Sequence, residues 1–190
     1  MQLDDLSEEL GKKLTSYSRQ VLNSFINENK TLQALLDPSI LKEKSGIFCT
    51  LRKFGSLRGC IGFPYPTYPL GDALVKATIE AAVDDPRFQR VTSKELKDIS
   101  IELTVLTPPE LITVSKFEEY YDQIKIGEDG LIIEQKSRRG LLLPQVPVEQ
   151  HWDIDDYLEG ICQKAYLSSN AWKDISSAKL YKFKGKIFEE

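Results

Sequence analysis

The apolar residues of this chain follow two different spacings, and each spacing predicts a different kind of element. In the N-terminal region, apolar side chains recur every three or four positions from Leu3 through Leu14 to Phe25. That spacing places them on one buried face of a helix. We therefore predict an N-terminal helical segment over about residues 3–36. A short second helical piece should end at Pro38, because proline lacks the amide hydrogen that a helix needs.

From residue 46 onward the apolar residues form short runs separated by turn residues. Residues 46–51 and 57–63 are β-prone, and the Lys-Phe-Gly-Ser segment between them is typical of a turn. These features predict a hairpin over about residues 46–63, followed by a loop that three prolines stiffen. A helix rich in small residues should follow over residues 70–83.

Further strands are predicted in the middle and at the end of the chain. Residues 99–106 alternate apolar and polar side chains, which indicates a half-buried strand. A one-turn helix should precede it, with Thr92 as its cap and Glu95 as the reciprocal partner. The later predicted elements are a hairpin of residues 124–126 with 131–134, a basic turn at 136–140, a buried strand at 141–144, a helix at 154–166 and a terminal edge strand at 179–188. Strand clusters separated by helices favour an α+β fold over a doubly wound sheet.

Composition narrows the class of protein without naming a reaction. The chain has 190 residues, of which 41% are hydrophobic and 28% charged, so we expect one globular domain or two small lobes over residues 1–190. Its net charge of −4 argues against a mainly electrostatic nucleic-acid binder, although a local basic patch remains compatible with it.

The few cysteines and histidines argue against metal and disulfide frameworks. Three cysteines without a CxxC pair and a single histidine predict neither a zinc site nor paired disulfides, so no cofactor is expected. Residues 1–30 have no uninterrupted apolar stretch typical of a signal peptide. No run approaches the ~20 apolar residues of a membrane helix. A cytoplasmic protein is the resulting expectation.

The string Leu-Arg-Gly-Cys-Ile-Gly at 57–62 resembles the sequence that marks the AMMECR-one domain family. Other segments match that family in the same order, so the resemblance extends from about residue 46 to residue 188. These segments are residues 85–88, 102–110, 140–146, 164–167 and 171–172. The resemblance implies an α+β fold with a larger sheet flanked by helices, a smaller strand-rich lobe, and a cleft between them near residues 57–62.

The resemblance also implies partners, although it implies no particular reaction. Members of the family look like partners of Memo-type domains and radical-SAM enzymes. This partnership suggests a modification pathway acting on a nucleotide, an RNA or a small molecule. This chain lacks the CxxxCxxC cluster that a radical-SAM enzyme needs, so it cannot supply that chemistry itself. It departs from the family at Cys49, where an aliphatic residue is usual, and at His151.

Cys60 is the residue in the matching string with the most chemical potential. It lies between Gly59 and Gly62, which permit either close approach of a ligand or a bend in the strand. In a regular strand Arg58 lies on the same face, and its guanidinium would stabilise a thiolate. The functional interpretation is a reactive thiol beside a cleft. The structural interpretation is a small buried apolar residue, because free cysteines are often buried.

The hairpin also suggests a redox hypothesis. A two- or four-residue loop centred on Phe54 and Gly55 pairs Cys49 with Cys60, with Cβ atoms ~4.5–5.5 Å apart. That separation is close to the reach of a disulfide. A loop of three or five residues removes this pairing.

Four more polar residues are candidates for the same site. Arg87 would present its planar fork to a carboxylate or a phosphate, or else pair with Glu102 or another acid while Asp85 caps a turn. Glu102 is either an acid/base group or a solvated strand residue. Gln145 either recognises donors and acceptors of a ligand or satisfies loop backbone.

Two functions are therefore compatible with the sequence. In the first, the chain is an enzyme or a ligand-binding protein, in which Arg58 and Arg87 hold an anion, Cys60 either acts as nucleophile or only lines the floor of the cleft, and Glu102 transfers protons. In the second, it is a non-catalytic adaptor that docks a modifying enzyme or RNA. Several polar residues around a cleft bordered by glycines would favour the first function, and a solvent-poor Cys60 with a fully paired Arg58 would favour the second.

Overall fold

The computed structural model describes residues 3–34 and 39–190, which form two compact units. The first unit comprises Met1–Pro108 and Lys186–Glu190, and the second comprises Pro109–Gly185. Each unit has its own apolar core and its own four-stranded sheet. Helices and antiparallel strand pairs in both units confirm the predicted α+β class.

The first unit packs two helices against one face of its sheet. The helices are α1 (Glu8–Glu28) and α2 (Leu70–Val83). The strands of the sheet are β1 (Gly46–Lys53), β2 (Ser56–Phe63), β3 (Ile99–Leu106) and β8 (Gly185–Glu189). Their order in the sheet is β2-β1-β3-β8. Alternate residues of β1 and β3 are buried in the core shared with both helices, as the period of two in their sequences requires.

The N-terminal helix is shorter than predicted because its end is fixed by a left-handed residue. Ser7 caps α1 by accepting a hydrogen bond from the Leu10 backbone at 3.1 Å. Asn29 has φ 52° and bonds back to Phe25, which terminates the helix at Glu28. Residues 29–34 are not helical. The second helical piece predicted before Pro38 falls partly on residues outside the described ranges.

The hairpin of β1 and β2 turns within the predicted segment of residues 53–56, but its cysteines are not paired as hypothesised. Phe54 and Gly55 both have positive φ, which suits the twist of a tight hairpin. One extra residue in β2, Arg58, then bulges out and shifts the register, so that Cys60 lies opposite Thr50 and Cys49 opposite Ile61. The predicted opposition of Cys49 and Cys60 is wrong, because a one-residue shift sends the two thiols to opposite faces of the sheet.

The strands of the second unit are β4 (Glu110–Leu111), β5 (Gly130–Gln135), β6 (Arg138–Leu142) and β7 (Ala178–Phe183). Their order in the sheet is β4-β7-β5-β6. Its helices are α3 (Tyr120–Gln123), α4 (Gln145–Glu149) and α5 (Ile154–Lys164). Short 3-10 helices span Leu3–Asp5, Ser39–Lys42, Ser93–Asp98, Phe117–Glu119 and Ala171–Lys173.

Three predictions for the second half are wrong. The expected basic turn at 136–140 and the expected strand at 141–144 are instead a two-residue turn followed by β6, which spans Arg138–Leu142. Residues 124–126 form no strand, and β5 instead pairs with β6 across a turn at Lys136 and Ser137 and with β7 on its other side. The expected terminal strand at 179–188 is two strands that are interrupted at Lys184. The first, β7, lies inside the second sheet, whereas β8 is an edge of the first.

Several other boundaries are confirmed. The helix at 70–83 and the strand at 99–106 have the predicted bounds, and α5 ends two residues before the predicted end. The 3-10 helix at Ser93–Asp98 begins after Thr92, whose backbone N–H donates to Glu95 at 3.0 Å. Within the described ranges, no helix is long and apolar enough to cross a membrane.

Candidate functional site

A row of three polar side chains crosses the first sheet on the face opposite α1 and α2. Thr50 of β1 lies between Cys60 of β2 and Glu102 of β3, and it is directly opposite both. Thr50 is buried, whereas Cys60 and Glu102 are half-buried. We call these three residues the Cys60 row. The arrangement follows from the register alone, because residues opposite each other on neighbouring strands share a face.

Hydrogen bonds fix the side chains of the Cys60 row. The Thr50 hydroxyl donates to the Cys60 sulfur at 3.3 Å. Glu102 accepts a hydrogen bond from Arg52 Nε at 3.3 Å. Two strand spacings separate the backbones of Cys60 and Glu102, about 10 Å. Thr50 is the group between them, and the Cys60 sulfur accepts its hydrogen bond from Thr50.

Asp85 and Arg87 together bind the backbone of Cys60. The Asp85 carboxylate accepts hydrogen bonds from the Cys60 amide at 2.8 Å and from the Arg87 amide at 3.0 Å. The Arg87 guanidinium donates to the same carboxylate through Nε at 3.0 Å and Nη2 at 2.8 Å. Nη2 also donates to the Cys60 carbonyl at 3.2 Å. The arginine thus pairs with Asp85 rather than with Glu102.

This Asp85–Arg87 fork has a clear consequence for the sheet. Strand β2 is an edge strand, so the outward N–H and C=O of Cys60 lack a neighbouring strand. The fork supplies one acceptor and one donor in place of that strand. The guanidinium, and the amide hydrogen bonds after it, hold the pKa of Asp85 well below its ordinary range although burial opposes the shift.

Arg58 is the centre of a second ion-pair cluster. Its Nε and Nη2 donate to Glu95 at 3.1 and 3.2 Å, and Nη1 donates to the Gln89 carbonyl at 2.8 Å. Nη2 also donates to the Arg90 carbonyl at 3.3 Å. Lys53 adds a further bond to Glu95 at 3.0 Å. Arg58 therefore ties the bulge of β2 to the loop before β3, and most of its N–H groups are already engaged.

These contacts also set the charge state of Glu95. The Arg58 guanidinium, followed by Lys53 and Thr92, holds the pKa of the Glu95 carboxyl well below its ordinary range. The Arg58 side chain is 14% exposed and the Lys53 side chain is 33% exposed. Arg87, by contrast, keeps 54% of its side chain exposed, so it offers a ligand more surface than Arg58 does.

The glycines of the 57–62 string have a packing role. A Cβ atom on Gly59 would lie 2.1 Å from the Ala81 carbonyl oxygen of α2, and one on Gly62 would lie 2.4 Å from the Ile47 oxygen of β1. Both positions therefore require a residue without a side chain, so that β2 can lie directly against its neighbours. Close approach of a ligand is not needed to explain them.

The first unit brings together most of the residues proposed from the sequence. Gln145 is the exception, because it lies in the second unit as the first residue of α4. Sequence reasoning missed Thr50 and Arg52, and it treated Glu95 only as a helix-cap partner. The alternation of β1 could have placed Thr50 and Arg52 on the polar face, but not without the bulge that sets which residues of β2 they meet.

The three thiols differ in accessibility, and this leads to a test. Burial raises the pKa of Cys49 to about 12 and that of Cys162 to about 11. Because the thiolate is the nucleophile, neither should react near neutral pH. We expect one alkylated thiol, Cys60, in the folded protein and three after unfolding, counted by mass spectrometry. A Cys60→Ser variant should have no alkylated thiol in the folded protein and two after unfolding. Alkylation of Cys49 in the folded protein would contradict the assignment.

The described residues contain no group of three or more His, Cys, Asp or Glu side chains placed to hold a metal ion. The Cys60 row has one thiol, one hydroxyl and one carboxylate, and the carboxylate is paired with Arg52. Its chemistry is therefore that of a polar contact surface with one thiol.

Comparisons with known proteins place the chain among close relatives. A protein of Methanocaldococcus jannaschii is 46% identical over 97% of this chain and 92% of its own length. One from Thermococcus onnurineus is 47% identical with the same coverage of both chains. The crystal structure of an uncharacterized protein from Pyrococcus horikoshii is 44% identical, with a TM-score of 0.85 over 97% of this chain and 93% of that chain. The AMMECR1 family model matches residues 15–188, so this chain belongs to the AMMECR1 family.

Proposed function

We propose that this chain is an enzyme or ligand-binding protein that takes an anionic small molecule or a nucleotide at the Cys60 row. The observation that carries the proposal is the position of the Cys60 sulfur. It is half-buried, accepts a hydrogen bond from Thr50, and lies on the same sheet face as Glu102. A thiol held by a hydroxyl donor in a partly dry setting is suited to contact a ligand.

Two arginines beside the row supply positive charge for an anion. Arg52 lies on the same face and keeps 41% of its side chain exposed, and Arg87 reaches the Cys60 carbonyl with 54% exposed. Both keep N–H groups available after their ion pairs, and a guanidinium binds carboxylate or phosphate through two parallel donors. Arg58 belongs to the support of the row, not to its contact surface.

The proposal also includes the location, the pathway and the partner proteins of this chain. The family resemblance supports a cytoplasmic role in a modification pathway, with Memo-type and radical-SAM proteins as partners. RNA is a second class of anionic ligand for the same surface. Because Gln145 lies in the second unit, any contact that it makes with a ligand would be a contact of that unit.

The test follows protection of Cys60 by ligand. Small-molecule fractions of a cell extract are added to the folded protein, and the rate of Cys60 alkylation is measured by mass spectrometry. We expect one fraction to slow the reaction, and Arg52→Gln to weaken that effect about tenfold, or about 1.4 kcal/mol. Arg90→Gln removes the same charge from an exposed side chain and should leave the protection intact.

The adaptor function is favoured by one observation, the engagement of most Arg58 N–H groups with Glu95 and two backbone carbonyls. It makes a different prediction in the same assay. No small-molecule fraction would protect Cys60, whereas a purified Memo-type protein would. That result would reject the ligand site and support a docking surface.

A further inference from the structure

One cavity of the first unit lies apart from the Cys60 row. It is an open groove of about 780 Å³ between the second half of α1 and the 3-10 helix Ser93–Asp98. This volume lies within the range of small-molecule pockets, about 300–1,000 Å³. Leu96 and Ile99, whose side chains are buried, are among its lining residues.

One wall of the groove carries polar side chains at helical spacing. Arg19, Asn23 and Asn27 occupy positions four residues apart, so they share one face of α1. Asparagine is a weak helix former, and two of them in succession on one face are not needed for helix stability. Within residues 3–34 and 39–190, neither amide has a hydrogen-bond partner. Their donors and acceptors are available to a ligand.

The opposite wall carries two lysines that point to the same side. Lys94 and Lys97 are three residues apart, and side chains with that separation are aligned in a 3-10 helix. Both are exposed and take part in no ion pair with the described residues. The same short helix carries Glu95, whose bonds to Arg58 and Lys53 hold it in place. The two ammonium groups are thus presented on a fixed element.

The groove is locally positive in a protein that is negative overall. Arg19 is bound by the Leu96 carbonyl at 3.1 Å, by the Ile99 carbonyl and by the Glu190 carboxylate. Glu190 compensates that charge, so the two lysines leave an excess of positive charge in the groove. The chain as a whole carries −4. A phosphate monoester carries about −1.5 to −2 at neutral pH and matches this excess.

We propose that this groove binds a small phosphorylated molecule, with its phosphate at Lys94 and Lys97 and its uncharged hydrogen-bonding part against Asn23 and Asn27. The helix dipole supports this orientation, because the C-terminal end of α1 disfavours an anion beside Asn27. Two lysines are too few for tight electrostatic binding of a nucleic-acid backbone, where each phosphate contact contributes little alone. The proposal is independent of the function assigned to the Cys60 row.

Adenosine 5′-monophosphate is the probe, with adenosine, inorganic phosphate and a single-stranded RNA oligomer as comparisons, all followed by calorimetric titration. We expect saturable binding of the monophosphate with Kd at or below about 1 mM. The double variant Lys94→Gln/Lys97→Gln should raise this Kd at least about tenfold. Asn23→Ala/Asn27→Ala should raise it for the monophosphate and leave inorganic phosphate unchanged.

Lys42→Gln/Lys44→Gln is the matched control, since it removes the same charge from two exposed lysines outside the groove. Unfolding curves of every variant show that the fold is retained. The proposal is overturned if the two lysine pairs have equal effects, if adenosine binds as well as its monophosphate, or if inorganic phosphate binds as tightly. Tighter, strongly salt-dependent binding of the RNA oligomer would overturn it in favour of nucleic acid.

Discussion

Replacing Asp85 by asparagine should lower the free energy of unfolding by about 3 kcal/mol, because hydrogen bonds to a charged acceptor contribute about 1.5–3 kcal/mol each. The buried carboxylate accepts four hydrogen bonds, one from the Cys60 amide and three from Arg87. An asparagine keeps one acceptor oxygen and turns an NH₂ group toward these donors. The expected loss in the free energy of unfolding is kept at the low end because the Arg87 side chain is half exposed. Water therefore solvates its charge when the carboxylate is removed.

Urea unfolding of the two proteins measures this difference. Asp84→Asn is the matched control, because Asp84 is the preceding residue but exposed, and we expect a change within about 0.5 kcal/mol there. Equal stability of wild type and Asp85→Asn would show that the fork does not support β2.

The same pair of proteins gives a prediction about pH. The pKa of Asp85 is lower in the folded protein than in the unfolded chain, where it is about 3.9. Its contribution is therefore fully present above about pH 4 and is lost as the pH falls through the folded value. The stability gap between wild type and Asp85→Asn should be constant from about pH 7 to about pH 5 and narrow below about pH 4. A gap that widens on acidification would contradict the ion pair.

Replacing Gly59 by alanine should cost at least about 3 kcal/mol, at the upper end of overpacking effects. The added Cβ would lie 2.1 Å from the Ala81 carbonyl oxygen. The carbonyl oxygen is a backbone atom, and the position of the Cβ is fixed by the backbone of residue 59. No side-chain rotation can therefore relieve the clash, and either β2 or α2 must move. Thermal and urea unfolding give the measurement.

Ser100→Thr controls for the extra methyl group, since Ser100 is exposed on a central strand of the same sheet. It should be nearly neutral. If Gly59→Ala were equally well tolerated, the glycine would not be required by packing, and close approach of a ligand would again be the better reason for it.

Local patterns predicted several elements of the first unit well. The bounds of α2 and β3 follow from apolar spacing within the segment itself and from the proline and charged residues that flank it. The hairpin turn at Phe54 and Gly55 is local as well. The spacing of apolar residues cannot reveal a bulge. The extra residue at Arg58 changes the register of β2 against β1 without changing the composition of the strand.

Long-range pairing limited the prediction of the candidate site. Arg58 and Glu95 are 37 residues apart, and nothing in either segment alone marks them as partners. The same holds for the alignment of Thr50 with Cys60 and Glu102, which depends on the order of three strands. The division of residues 178–189 between two sheets was equally hidden, since β7 and β8 have similar alternating sequences.

The fork on the outer edge of β2 also protects the protein against self-association. An uncovered edge strand presents free N–H and C=O groups, and these recruit strands from other molecules into growing aggregates. Asp85 and Arg87 occupy both groups of Cys60 and place two charges at that position. A strand from another molecule would have to displace this ion pair before it could form a hydrogen bond with the backbone of Cys60. The Asp85–Arg87 fork therefore opposes intermolecular sheet extension in addition to supporting β2.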